Sequence, residues 1–62
     1  MKIRTRVRLT VDRKLDGKVV IPKDSMGMLM EFQRDKLIAL VKWDNDGWQT
    51  CFTEDLEEVK DG

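Results

Sequence analysis

A ten-residue stretch near the N-terminus constrains this chain more than any other feature. From Lys2 to Val11 the side chains alternate without a break. Ile3, Thr5, Val7, Leu9 and Val11 fall on one face, and Lys2, Arg4, Arg6, Arg8 and Thr10 on the other. A period of two is what a strand with one buried face requires, and no helix can use it. The rest of the chain agrees, because no segment holds a helical period over three turns. The short apolar run Val19 to Ile21 ends at Pro22, which cannot donate to a ladder. Further strands are expected over Met28 to Phe32, Leu37 to Trp43 and Trp48 to Phe52, with QRDK (Gln33 to Lys36) as a polar hairpin connection. DRKLDG (Asp12 to Gly17) reads as a polar, turn-prone loop. Thr53 is a candidate N-cap for a helical or 3-10 turn, with Glu54 and Asp55 in its first turn, and a short last strand is expected around Glu58 to Lys60.

Sixty-two residues support one domain with a thin core. A chain of that size buries only about 60% of the surface its unfolded form exposes. An open sheet would leave a face and two edges uncovered, whereas closure into a small barrel buries the inner face and pairs most edges. The expected fold is therefore all-β: a small barrel of about five antiparallel strands with a short 3-10 turn before the last. Its candidate core is Val7, Leu9, Val20, Met28, Met30, Ala39, Val41, Trp43, Phe52 and Leu56.

Several segments resemble a known group. VRLT, then VVIPKDSMGML, ALVKWD and CFTEDLEEV follow the order found in the SH3-like barrels of small accessory subunits. The small stromal subunit of photosystem I and the variable chain of ferredoxin–thioredoxin reductase are similar in outline, as are uncharacterised small bacterial SH3-like domains. The resemblance implies an SH3-like barrel that docks onto partners, and it carries over no catalytic residue. One departure stands out: similar turns often have P-x-G, whereas Asp24 follows Pro22 and Lys23 here.

The chemistry that is missing narrows the function. The chain has no histidine, no tyrosine and one cysteine, which removes the usual triads, zinc sites and histidine bases. No phosphate-binding glycine loop is present. Cys51 has no histidine to activate it and reads as a strand cysteine. No enzyme activity and no cofactor are expected. The longest uncharged apolar run, LIALV, is far short of the roughly 20 residues a bilayer requires. With a charged N-terminal stretch and no cysteine pair, a cytoplasmic protein without membrane insertion is expected.

KWDNDGW (Lys42 to Trp48) holds only part of a calcium-loop pattern, and Asn, Asp and Gly are what a tight hairpin uses. It reads as a hairpin corner, with Trp43 and Trp48 near each other across the strand pair. The alternatives weighed for it are a ligand clamp and a metal loop.

Charge is segregated along the chain. Residues 1–24 hold eight basic and three acidic side chains, and residues 44–62 hold one basic and seven acidic. The stripe of Lys2, Arg4, Arg6 and Arg8 could meet nucleic-acid phosphates. The plainer reading pairs it with the acidic C-terminal strand, through Glu57, Glu58 and Asp61. The expected function is a protein-interaction or accessory-subunit module. Its contact surface would draw on Trp48, the Asp12 to Lys18 loop with Arg13, and any of Met26, Met28 and Met30 left exposed. The alternatives are a nucleic-acid-binding barrel using Arg4, Arg6 and Arg8, or a barrel that self-associates.

Overall fold

The computed structural model describes residues 1–60. Its elements are β1 (Arg6–Leu9), β2 (Arg13–Leu15), β3 (Lys18–Ile21), β4 (Met26–Gln33), β5 (Ile38–Trp43), β6 (Gly47–Phe52), a 3-10 turn (Thr53–Asp55) and β7 (Leu56–Glu58). The chain is all-β, with a five-stranded antiparallel sheet in the order β6-β5-β4-β1-β7 and a separate hairpin of β2 and β3. The 3-10 turn stands immediately before the last strand, as expected.

The first strand is shorter than its alternation suggests. Arg4 sits at φ 70 and interrupts the extended backbone, while the Thr5 amide turns back to Lys2 O. Ile3 and Val11 consequently lie outside β1 and remain exposed. The DRKLDG segment is not a loop but half a hairpin. Leu15 pairs with Lys18 across Asp16 and Gly17, which take φ 52 and 78, the two positive values a tight hairpin turn demands. Positive φ also explains the departure at the proline turn. Ser25 donates to Pro22 O, and Asp24, at φ 73, occupies the left-handed position that glycine fills in P-x-G turns.

β4 is the centre of the fold, because it pairs with β1 over Met26–Met28 and with β5 at every residue but Met26 and Met30. Its register to β5 slips between Leu29 and Glu31, leaving Met30 as the extra residue of a bulge. The bulge changes which parity faces inward: Gly27 and Leu29 point to the core before it, and Phe32 packs on the core after it. Gly27 is required by close approach rather than by its φ. A Cβ there would stand 2.7 Å from Val41 Cγ1 and 2.8 Å from Lys42 O.

The buried core is Val7, Leu9, Ile21, Leu29, Ala39, Val41, Trp43, Cys51 and Leu56. Of the expected set, Met28 and Met30 stand on the outer parity of β4 or in the bulge, and Leu29 takes their place. Phe52 is 46% exposed, because it shares the outward row of β6 while Cys51 faces in. Val20 is partly buried beside the fully buried Ile21. Thr53 does not cap the 3-10 turn: the extended Phe52 stands at that position without a side-chain hydrogen bond, and Thr53 Oγ1 is buried with no partner among the described residues. The last strand begins at Leu56 rather than Glu58, which lets it pair with β1 through Leu9–Leu56, Arg8–Glu57 and Val7–Glu58. Asp61 lies outside the described residues.

Candidate functional site

The register of the sheet distributes the candidate residues over its outer face. Trp48 stands opposite Lys42, Lys42 opposite Met28, and Met28 opposite Arg6. Met26 stands opposite Arg8, which stands opposite Glu57. The two tryptophans are not a pair. Trp43 faces Gly47 in the register and points into the core, where its Nε1 donates to Gln49 O at 3.3 Å, whereas Trp48 points outward and is 54% exposed. Adjacent residues on either side of a hairpin register fall on opposite faces, so a cross-strand aromatic contact is geometrically unavailable here.

The arginine stripe is occupied by the chain's own acids. Arg6 makes a bidentate contact with Asp44, Nη1 to Oδ1 at 2.9 Å and Nη2 to Oδ2 at 2.7 Å. Its guanidinium holds the Asp44 carboxyl below the usual carboxylate range, through that hydrogen bond before any longer-range attraction. Arg8 donates from Nε to Glu57 Oε1 at 3.1 Å and reaches Asp24 with Nη1. These contacts raise its pKa, the hydrogen bond to Glu57 most of all. Glu58, expected to answer an arginine, instead accepts from the Thr5 hydroxyl at 3.2 Å. Arg4 is exposed and in no ion pair among the described residues. The DNDG corner is a three-residue loop closed by Gly47 at φ 72, and its first carboxylate is the one bound to Arg6.

Trp48 and Arg13 come together across the molecule. A cleft of about 330 Å³ between the β2–β3 hairpin and the β5–β6 pair is lined by Arg13, Leu15, Val20, Leu40, Trp48 and Thr50. The Arg13 guanidinium also lies over the Phe52 ring, 5.3 Å from its centroid. A second depression of about 460 Å³ follows at the end of β6, walled by Lys36, Leu37, Phe52, Thr53 and Glu54. Leu37, 69% exposed, and Leu15 and Phe52, each about half exposed, join Trp48 in an apolar margin along β6. Met26 does not belong to this margin; it is half-buried beside Arg8, and its carbonyl accepts from the Asp44 amide at 3.0 Å. Leu15, Leu37 and Phe52 are the residues sequence reasoning missed here. The D-G pair at residues 16 and 17 was the available signal, because it predicts a hairpin that brings Leu15 alongside another strand.

Cys51 is fully buried beside this margin but faces the core, and burial pushes its thiol up to about 11. A thiol protonated at neutral pH and shut away from solvent is a packing group, not a nucleophile.

No protein-family model, curated protein or solved structure matches the chain. The functional reading therefore rests on the chemistry of the surface itself.

Proposed function

We propose that the chain is a non-catalytic protein-interaction or accessory module of the SH3-like barrel type, which contacts its partner through the apolar margin of β6. The observation that supports this reading most is the exposure of Trp48 and Phe52 on one strand, beside Leu15 and Leu37. Large apolar groups gathered on one side of so small a surface mark an interaction site more often than a chance scatter does. Competition from the nucleic-acid reading is weakened by the ion pairs, because Arg6 and Arg8 would have to leave Asp44, Asp24 and Glu57 to reach phosphates. The partner's own chemistry would have to offset that loss.

The test has two arms. Chemical cross-linking of the full chain in its native extract, followed by mass spectrometry, should recover protein partners, with Trp48→Glu abolishing the cross-links. Fluorescence anisotropy with single-stranded and duplex oligonucleotides should show no binding near physiological salt. Micromolar, salt-sensitive oligonucleotide binding lost on neutralising Arg4, Arg6 and Arg8 would overturn the proposal in favour of a nucleic-acid-binding barrel.

A further inference from the structure

The backbone of β6 is as informative as its side chains. Thr53 donates its amide to Leu37 O at 3.0 Å, and the two stand one step beyond the Ile38–Phe52 pair in the same register. Hydrogen-bonded and non-bonded pairs alternate along an antiparallel ladder, so Gly47, Gln49 and Cys51 turn their peptide groups toward β5. Trp48, Thr50 and Phe52 then turn theirs to the open side. β6 is the end of the sheet, and no described hydrogen bond occupies those N–H and C=O groups. Exposed edges of this kind are normally protected by charges or proline. Among the seven described strands, β6 (GWQTCF) alone carries no charged side chain, and it has no proline.

What lies at its two ends selects an occupant. Asp46 precedes the strand, Glu54 and Asp55 follow it, and none of the three is in an ion pair among the described residues. No basic residue occurs between Lys42 and Lys60 in the sequence. The cations the fold brings beside β6 are Arg13, over the Phe52 ring, and Lys36, which shares the second depression with Glu54 but lies over the Phe32 ring; neither is in an ion pair among the described residues. A second copy of the chain pairing antiparallel about Thr50 would set Asp46 against Glu54 at both ends, and like charges opposite each other are destabilising. An extended segment with an uncharged centre and cationic ends meets no such repulsion and gains at both ends.

We propose that the open edge of β6 receives an extended segment of a protein partner, cationic at both ends, which adds to the sheet as a further strand. Trp48 and the hairpin cleft supply pockets for its side chains, while the backbone groups of Trp48, Thr50 and Phe52 supply the ladder. This inference rests on the protein-interaction reading and names its site and partner class.

The probe is a nonapeptide of alternating valine and threonine bracketed by two lysines at each end, titrated into the full chain and followed by amide nuclear magnetic resonance. A counterpart bracketed by glutamates serves as control. The cationic peptide should shift the amides of Trp48, Thr50 and Phe52 and slow their exchange, more strongly at low salt, while the acidic peptide leaves them unchanged. Asp46→Lys combined with Glu54→Lys, both exposed positions, should reverse the preference, weakening the cationic peptide about tenfold. Equal binding of both peptides, or none at millimolar concentration, would overturn the proposal. So would concentration-dependent dimerisation that protects the same three amides. Cross-linked partners whose footprint falls only on the hairpin cleft would remove the edge and leave the protein-interaction reading standing; recovery of no partner would remove both.

Discussion

The two ends of the sheet are built on opposite principles. At one end β7 has three residues, and its neighbour β1 presents arginines that meet Asp24, Asp44 and Glu57. Its free edge is short, since the Leu56 amide is already spent on Thr53 O. At the other end β6 has six residues, no charge, and three peptide units turned outward. The first end is short and its arginines are paired with acids; the second runs six residues without a charge. What the contrast teaches is that the most conspicuous charge in the sequence is used internally, whereas the long edge strand is the one that carries no charge of its own.

That contrast depends on which face of β4 is inside, and a pair of substitutions breaks it most visibly. Leu29→Ala should cost about 2–5 kcal/mol in urea unfolding, and Met28→Ala under about 1 kcal/mol. Equal costs would put the outer row, and with it the route from Trp48 to Arg6, on the wrong face. Next in size is Gly27→Ala. The new methyl meets Val41 Cγ1 and the Lys42 carbonyl, and overpacking of this kind costs about 1–3 kcal/mol. A neutral outcome in thermal melting would mean that β4 and β5 are not held as closely as the two-ended sheet needs.

A smaller effect sharpens the closed end. Arg8→Gln and Glu57→Gln, singly and together, should show a favourable coupling at low salt in a double-mutant cycle. The coupling should largely vanish near 1 M salt, where charges are screened within about 3 Å. Additive effects at every salt concentration would leave the stripe unanswered in solution. The smallest expected change is at the open end, where Trp48→Thr should alter stability by no more than about 0.5 kcal/mol, as at other exposed positions. A large loss there would make Trp48 a structural group rather than a contact.

The strand content was legible because alternation and turn residues report it directly, and so was the meeting of basic and acidic segments, because opposite charge at the two ends of a chain becomes adjacency once the first and last strands pair. Faces were harder. In MGMLMEF nearly every position is apolar, so alternation cannot choose between Met28 and Leu29; Gly27 could, since a glycine inside a strand marks a close crossing on the inner side. The bulge at Met30 then shifts the phase in a way no local pattern shows. WQTCF is similarly ambiguous, and burial of Cys51 rather than Phe52 follows from the register with Ala39, a long-range fact. The apolar margin was half legible: Trp48 and Arg13 were visible as candidates, while Leu15 and Leu37 join them only once the hairpin is folded back.

The open end can be examined without any partner. Native-state hydrogen exchange resolved by residue should show alternation along β6 in the unliganded chain. Gln49 and Cys51, whose amides face β5, should be protected to near the global unfolding limit, and Trp48, Thr50 and Phe52 should exchange rapidly. Protection of the second set equal to the first, at concentrations where the chain is monomeric, would mean that the edge is already closed and would contradict the account.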